Sequence, residues 1–164
     1  MTGSNGVITR TYDALNRVIS YTDTYGYTIN YTYDPVGNIT QIVYPDNTAV
    51  NYAYDANNNL ISVTDWENRV TSYTYDENNN VIGSVKPDGS VTTTVYDNKH
   101  RVTSTVERTV GGDVITGYEY VYDTLSRITE EKDLAKNIKM CYVYDKLSRL
   151  TKRTVKNFAN VTLS

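Results

Sequence analysis

Apolar and polar residues alternate along most of this 164-residue chain. In the segment YTINYTYD, the odd-numbered positions from Tyr27 to Tyr33 are Tyr, Ile, Tyr and Tyr, and the even-numbered positions are Thr, Asn, Thr and Asp. The same alternation recurs in residues 50–54, 118–122 and 138–144. A period of two is typical of a β-strand with one covered face, and it predicts strands of about six or seven residues.

Polar segments that begin with Tyr-Asp separate the strands and predict tight turns. Four residues after each such tyrosine stands Asn, Gly, His or Ser. Gly and Asn enter the left-handed backbone region most readily, and His is also enriched there. The aspartate can accept a hydrogen bond from the backbone two residues on. The positions are Asn16, Gly37, Asn58, Asn79, His100, Ser126 and Ser148. The asparagine triplets at 57–59 and 78–80 are therefore interpreted as turn chemistry, not as a ligand-binding cluster.

A second set of predicted turns lies about halfway between the first. These turns end at Gly26, Asn47, Asn68 and Gly89. Pro-Asp precedes Asn47 and Gly89, which is a strong local turn signal. In the fifth unit the matching segment is lengthened to ERTVGGD at 107–113. We expect a hairpin loop or a bulge to absorb the additional residues.

The Tyr-Asp pairs define an internal repeat, in which successive tyrosines are 21, 21, 21, 21, 26 and 22 residues apart. Each unit reads Y-D-x-x-x-[RN] followed by an aliphatic residue, and with two strands per unit the seven units predict an all-β fold, an antiparallel β-hairpin meander of about 14 strands. We expect one domain, 1–164, whose sheet is curled or spiral so that its apolar face is covered. The repeat-defining residues are Tyr12, Asp13, Tyr33, Asp34, Tyr54, Asp55, Tyr75, Asp76, Tyr96, Asp97, Tyr122, Asp123, Tyr144 and Asp145.

Tyrosine dominates the aromatic composition, with 17 residues against one Trp and one Phe. Its apolar ring and its hydroxyl suit a half-exposed surface better than a dry core. A chain this rich in aromatic residues does not have the composition of a disordered protein. No apolar run is long enough to predict a membrane-spanning helix. The first residues, MTGSNGVITRTYD, lack the basic start and apolar stretch of a signal peptide.

Charge is unevenly distributed along the chain. Residues 1–121 carry 7 Lys/Arg and 14 Asp/Glu, a net charge of −7, whereas residues 122–164 carry 9 and 5, a net charge of +4. Such a polarised chain can attract a copy of itself head to tail or a neighbouring segment. The alternative is a solvated surface without a partner, and the composition alone does not separate the two.

The recurring unit resembles the YD repeat of Rhs proteins, as YDPVGNI at 33–39 and YDALNRV at 12–18 illustrate. The same repeat occurs in the cocoons of insecticidal toxin complexes, in teneurins and in bacterial wall-associated proteins. The resemblance implies hairpins wound into a spiral strip, which in larger members forms a hollow shell around a toxic C-terminal domain. In teneurins the strip supports cell-surface recognition. The resemblance therefore implies a secreted or cell-surface location.

This chain departs from that family at two points. Only Gly37 keeps the family's turn glycine, and the Rhs core with its aspartate-based self-cleavage site is not recognised. The string DPVG at 34–37 is interpreted as an ordinary repeat turn. No toxin domain is expected after the last repeat. The chain is then either a segment of a longer shell or a short member completed by assembly.

Candidate chemistry is sparse, and no cofactor or metal site is predicted. His100 is the only histidine and occupies a turn position, and Cys141 is the only cysteine and lies in a predicted strand, so a structural role is favoured for both. The acidic turns lack the ligand spacing of a calcium loop. The net acidic charge disfavours nucleic acid as a partner. The glycosylation patterns at 30–32, 38–40 and 160–162 arise readily in a chain rich in Asn and Thr.

The favoured function is a non-catalytic structural scaffold that pairs with itself or with adjoining YD repeats. The alternative is a recognition module that binds a glycan or a cell-surface protein through exposed aromatic residues. Trp66, at the tip of a predicted turn, is the candidate ligand contact. An aromatic ring can stack on the apolar face of a sugar while its polar edge stays in water.

Overall fold

The computed structural model describes residues 6–159, which form fourteen β-strands and no helix. The strands are β1 Thr9–Tyr12, β2 Val18–Thr22, β3 Thr28–Tyr33, β4 Ile39–Val43, β5 Ala49–Tyr54, β6 Leu60–Thr64, β7 Val70–Tyr75, β8 Val81–Val85, β9 Val91–Tyr96, β10 Val102–Arg108, β11 Val114–Tyr122, β12 Ile128–Asp133, β13 Ile138–Tyr144 and β14 Leu150–Asn157. The predicted all-β, antiparallel hairpin meander is confirmed. Most strands have five or six residues, slightly fewer than expected.

The chain divides into two compact units, Met1–Ser72 and Tyr73–Ser164. In each unit the strands pair antiparallel with their neighbours in the chain, without a crossover. That residues 1–164 act as one domain remains a prediction. Residues 1–5 and 160–164 lie outside the described residues, and so does the glycosylation pattern at 160–162.

One set of turns, here called YD turns, runs from the repeat aspartate to the Arg or Asn four residues later. In the third YD turn the amide of Asp55 donates to the carbonyl of Asn59 at 2.9 Å, and the amide of Asn58 donates to the carbonyl of Asp55 at 3.1 Å. Asn58 has φ 64°, the left-handed conformation that this three-residue loop requires. All seven predicted left-handed positions are confirmed, namely Asn16, Gly37, Asn58, Asn79, His100, Ser126 and Ser148.

A second set of turns, here called linker turns, joins each hairpin to the next at the other end of the strands. The turn from Asp65 to Arg69 repeats the YD-turn bonds, since the Asp65 amide donates to the Arg69 carbonyl at 3.1 Å. The predicted left-handed positions Gly26, Asn47, Asn68 and Gly89 are confirmed. Gly112 occupies the corresponding position of the fifth linker turn, with φ 91°, and Asn137 is left-handed in the last linker turn, with φ 56°.

The lengthened fifth repeat keeps a linker turn of the usual size. The Thr109 amide donates to the Asp113 carbonyl at 2.8 Å, as in the other turns. The additional residues extend β10 to 7 residues and β11 to 9, and the pairing shifts between Glu107 and Arg108. Of the two predicted alternatives, the structure has the bulge and does not have an enlarged hairpin loop. The two strands grow by unequal amounts, which requires such a shift in an antiparallel pair.

The side chains on the apolar face of the sheet are mostly half-buried and do not form a fully buried core. In β5, Val50, Tyr52 and Tyr54 are buried or half-buried, while Asn51 and Ala53 are exposed, as the alternation predicts. Val50, with 7% of its surface exposed, is the buried hydrophobic residue found between residues 6 and 159. A half-buried face rich in tyrosine therefore takes the place of a conventional dry core, and it suits tyrosine because the hydroxyls need polar partners.

Candidate functional site

The repeat aspartate is the centre of each YD turn. Oδ1 of Asp55 accepts hydrogen bonds from the backbone amides of Asn57 and Asn59, at 2.8 and 2.9 Å. Its Oδ2 accepts a bond from the side-chain amide of Asn59 at 3.0 Å. In the first YD turn, Nε of Arg17 donates to Oδ2 of Asp13 at 2.6 Å instead. Either Arg or Asn therefore serves at the sixth repeat position, because each offers a planar N–H donor to the same carboxylate oxygen.

These hydrogen bonds lower the pKa of the repeat aspartates. The side-chain hydrogen bond from Arg101 outweighs desolvation and, with two backbone amides, lowers the pKa of Asp97 to about 2, from an ordinary value of 3.8. The pKa of Asp55 is lowered mainly by the bond from the Asn59 side chain. The same direction is found for Asp13, Asp34, Asp76, Asp123 and Asp145. The carboxylates are thus held in the charged form by their own turns.

The repeat tyrosine connects each unit to the one before it. The hydroxyl of Tyr33 donates to the backbone carbonyl of Val18, the aliphatic residue that ends the preceding motif, at 2.8 Å. The same bond joins Tyr54 to Ile39, Tyr96 to Val81, Tyr122 to Val102 and Tyr144 to Ile128, at 3.0, 3.1, 2.7 and 2.8 Å. The hydroxyls of these five repeat tyrosines therefore bind the backbone of the preceding repeat.

The sixth repeat position makes a second connection between units. The guanidinium of Arg17 lies over the Tyr33 ring, 4.7 Å from its centroid, and its Nη1 donates to the carbonyl of Asp34 at 2.8 Å. Where the residue is asparagine, Nδ2 of Asn38 donates to Oδ1 of Asn58 at 3.1 Å. Guanidinium stacking also joins Arg101 to Tyr122 and Arg127 to Tyr144, at 4.4 and 4.7 Å. We call these connections, together with the tyrosine bonds, the YD ladder.

A constant register accompanies the YD ladder. Where one repeat pairs with the next, the same two positions always face each other. The first lies two residues after the aliphatic residue that ends the YD motif, and the second lies three residues before the next repeat tyrosine. In β2–β3 this pair is Ser20 with Asn30, and in β12–β13 it is Glu130 with Cys141. The same offsets hold for Gln41 with Asn51, Ser62 with Ser72, Gly83 with Thr93 and Ser104 with Glu119. The repeat therefore fixes the pairing of strands as well as their turns.

An aromatic cleft lies at the linker turns of the first unit. Trp66 is at the tip of its turn and 55% exposed. The cleft has a volume of about 790 Å³ and is lined by Tyr27, Tyr44, Pro45, Asp46, Thr48 and Trp66. Oδ1 of Asp46 accepts bonds from the amide and the hydroxyl of Thr48, at 3.0 and 2.7 Å. Aromatic faces and a polar rim thus meet around the predicted candidate ligand contact.

The two residues singled out for possible chemistry have structural surroundings. His100 adopts φ 58° in its YD turn, with Nδ1 3.1 Å from Nδ2 of Asn80, so it is a member of the YD ladder. Cys141 is half-buried in β13, where its strand partners are Glu130 and Thr154. Between residues 6 and 159, no group of three or more His, Cys, Asp or Glu side chains is placed to hold a metal ion.

The repeat can now be compared with known proteins. Residues 12–49, 54–91 and 75–113 match the family described as RHS Repeat, and together these ranges cover more than half of the sequence. The chain belongs to the RHS repeat family. A comparison with curated proteins gave no match. In the described part of the chain, no helix has the length and apolarity needed to cross a membrane.

Solved structures of toxin-complex proteins share the fold of this RHS repeat chain. The Photorhabdus luminescens Tc holotoxin pore with the TccC3-D651A mutation superposes with a TM-score of 0.73 at 18% identity, over 95% of this chain. TcdB2-TccC3 gives 0.74 at 18% identity over 93%. TcdB2-TccC3 without its hypervariable C-terminal region gives 0.71 at 19% identity over 93%. The chain spans 9% of the length of each of these chains.

Proposed function

We propose that this chain is a non-catalytic structural scaffold, a strip of YD repeats that forms part of an RHS-type β-shell or assembles at a cell surface. The observation that carries the proposal is the YD ladder. Tyrosine, aspartate and Arg or Asn, the polar residues that define the repeat, bond within their own turn or to the adjacent repeat. A repeat whose defining side chains are used in this way serves to extend a sheet.

The non-catalytic part of the proposal rests on how the candidate chemical groups are engaged. A general base needs a nucleophile and an orienting partner within hydrogen-bonding reach. His100 instead contacts the amide of Asn80, and Cys141 lies in a strand beside Glu130 and Thr154. We propose no cofactor, and adjoining YD repeats or further copies as partners rather than nucleic acid. A secreted or cell-surface location is proposed from membership of the family.

The experiment that tests the scaffold is the absolute mass of the purified chain in solution, by light scattering combined with small-angle X-ray scattering. We expect the weight-average mass to exceed the monomer mass of 18.6 kDa and to rise with concentration. The measurement is made at low and at high salt, because screening weakens the attraction between oppositely charged segments. A chain that stays monomeric at high concentration in both salts contradicts a scaffold that builds by assembly.

A second candidate function is recognition of a glycan or a cell-surface protein at the aromatic cleft. Support comes from Trp66 and Tyr27, which are 55% and 62% exposed and line the same cleft as Tyr44 and Asp46. Stacked rings bind the apolar face of a sugar, and the Asp46 carboxylate lies where hydroxyls would be bound. A ligand in this cleft would be held by the linker turns and leave the YD turns free.

Trp66 fluorescence reports directly on that candidate. We expect a sugar that binds to change the Trp66 emission, and Tyr44→Ala to abolish the change while Trp66 remains as the reporter. Tyr25→Ala is the matched control, since Tyr25 is 85% exposed and does not line the cleft. An unchanged emission across a broad panel of glycans contradicts glycan recognition at this cleft.

A further inference from the structure

The aromatic rings of the cleft are not engaged by the chain itself, in contrast to those of the YD ladder. Between residues 6 and 159, the stacked guanidinium groups lie over other tyrosines, and none lies over Tyr27, Tyr44 or Trp66. The hydroxyls of Tyr27 and Tyr44 likewise make no hydrogen bond with the described residues. The cleft therefore offers three aromatic rings that have no partner within the described part of the chain.

The linker turn at the cleft does not require an aromatic residue. The amide of Tyr44 donates to the Thr48 carbonyl at 2.9 Å. In another linker turn, the amide of Lys86 donates to the Ser90 carbonyl at the same distance of 2.9 Å. Both turns continue with Pro-Asp, so lysine occupies the position that Tyr44 has at the cleft. The turn alone therefore does not explain Tyr44, and its ring is available for another role.

Charge at the linker turns of the first unit favours a cation. Among the described residues that line the cleft, Asp46 alone is charged. The side-chain and backbone hydrogen bonds from Thr48 lower the pKa of Asp46, so its carboxylate is ionised at neutral pH. The three linker turns that contain the lining residues hold four carboxylates and one guanidinium, that of Arg69, which pairs with Asp65 and Glu67 at 2.8 and 3.0 Å. A cation that enters the cleft therefore meets an excess of negative charge.

We propose that the aromatic cleft binds the trimethylammonium group of a net cationic ligand such as choline. A quaternary ammonium has no N–H donor, so it is recognised by its charge and its methyl groups and not by hydrogen bonds. The negative faces of aromatic rings attract it, and a nearby carboxylate adds to that attraction. The inference rests on the recognition function proposed for this cleft, whose ligand class it names, and it is independent of the scaffold function.

The size and the charge of the cleft distinguish this ligand from two related classes. The cleft volume of about 790 Å³ is in the range of small-ligand sites, and the exposed rings of Tyr27 and Trp66 leave it accessible. A neutral sugar gains no charge attraction from Asp46. Phosphocholine has the same methyl groups but also a phosphate, which the surrounding carboxylates repel. We therefore expect a ligand without an anionic group next to the cation.

Three small ligands test the proposal through the emission of Trp66, the only tryptophan of the chain. Choline has both the charge and the methyl groups, its neutral tert-butyl analogue has the methyl groups alone, and ethanolamine has the charge alone. We expect choline to bind at least about tenfold more tightly than either, because rings and carboxylate act on the same group. Phosphocholine should bind more weakly than choline. Ionic strength is held constant, because salt screens the attraction between charges.

Asp46→Asn removes the charge of the cleft and keeps its turn. The Oδ1 of asparagine can accept the same two bonds from Thr48 that Asp46 accepts. We expect the dissociation constant for choline to rise at least about threefold, because the carboxylate no longer attracts the cation. Asp88→Asn is the matched control, since Asp88 also follows a proline and accepts a bond from the amide of Ser90, in a turn without an aromatic residue. Its affinity for choline should equal that of wild type.

Tyr44→Leu tests the contribution of an aromatic face. Leucine keeps an apolar side chain at the cleft but has no ring, so we expect the affinity for choline to fall at least about threefold. Tyr25→Leu is the control, because Tyr25 is 85% exposed and does not line the cleft. The NMR signal of the choline methyl protons measures binding without Trp66 as the reporter, and circular dichroism verifies that each variant is folded.

The outcomes separate the ligand class from the recognition function. Equal binding of choline and either analogue, or choline binding that neither Asp46→Asn nor Tyr44→Leu weakens, overturns the trimethylammonium ligand. If a glycan changes the Trp66 emission and choline does not bind, the ligand class is overturned while recognition at the cleft stands. If neither choline nor any glycan binds, both are overturned. The scaffold function is tested separately, by the mass of the chain in solution.

Discussion

The hydroxyl of Tyr122 donates to the backbone carbonyl of Val102 at 2.7 Å, although the repeat between them is the longest in the chain. The guanidinium of Arg101 also lies over the Tyr122 ring at 4.4 Å. The additional residues extend β10 and β11 toward the linker turn, away from the YD turn. The YD ladder is therefore kept at the YD-turn ends of these strands, whereas their linker-turn ends tolerate a difference in strand length.

Removal of the Tyr122 hydroxyl measures the contribution of one ladder bond. We expect Tyr122→Phe to lower the free energy of unfolding by about 1 kcal/mol, because the Val102 carbonyl loses its partner and the ring remains. Urea unfolding followed by circular dichroism gives the value. Tyr25→Phe is the control, since Tyr25 is 85% exposed, and we expect a change within about 0.5 kcal/mol. Equal stability of both variants would show that the ladder bond contributes nothing.

The left-handed turn position should tolerate different residues from its neighbour. Asn58 has φ 64° and accepts a bond from Asn38, whereas Asn57 lies at the exposed tip of the same turn. We expect Asn58→Ala to lower the free energy of unfolding by about 1–2 kcal/mol, because a Cβ is strained in that conformation. Asn57→Ala should change it by less than about 0.5 kcal/mol.

Asn58→Gly separates backbone strain from the lost side-chain bond. Glycine adopts positive φ without strain but offers no Oδ1 to Asn38. Its unfolding free energy should therefore lie between those of wild type and Asn58→Ala. A glycine variant as unstable as the alanine variant would mean that the side-chain bond, and not the conformation, determines the choice of asparagine.

Stacking on the next tyrosine should make one arginine more important than another with the same aspartate contact. Arg127 donates to Asp123 and lies over Tyr144, whereas Arg149 makes the equivalent bond to Asp145 alone. We expect Arg127→Lys to lower the free energy of unfolding by about 1 kcal/mol, because lysine loses the planar fork and its stacking. Arg149→Lys in the monomer should cost less than about 0.5 kcal/mol. Thermal unfolding at low protein concentration compares the two, and equal losses would contradict the stacking contribution.

Acid should weaken the YD turns in a defined pH range. The pKa of Asp97 is lowered to about 2 from 3.8, chiefly by the bond from Arg101, so the folded state binds this proton less readily than the unfolded state. Its contribution to stability is complete above 3.8 and is lost as the pH falls through about 2. We expect the urea midpoint to fall across this range, and to fall less steeply for Asp97→Asn.

Glu77→Gln is the control for the pH experiment. Glu77 is exposed at a YD-turn tip, and its side chain makes no hydrogen bond or ion pair with residues 6–159. We expect its midpoint to follow the wild-type pH dependence. If Asp97→Asn also follows wild type, the acid sensitivity has its origin outside the aspartate–arginine turn contact.

The sequence by itself determined the turns and the strand faces of this protein. Left-handed backbone at Asn58 or Gly89 is a property of one residue and its chain neighbours, and it can be predicted without knowledge of distant contacts. The alternation in β5 likewise depends only on the period of a strand. The position of Trp66 at an exposed turn tip followed from the same local rules.

The tertiary structure alone decided which of those residues meet. The Arg17 side chain reaches Tyr33, and Trp66 shares a cleft with Tyr27 and Tyr44, only because the strands between them pair in one register. The unequal lengths of β10 and β11 could not be predicted from the sequence either, since a loop and a bulge can absorb the same number of additional residues. Register depends on all strands at once, because a shift of one residue turns every side chain to the opposite face.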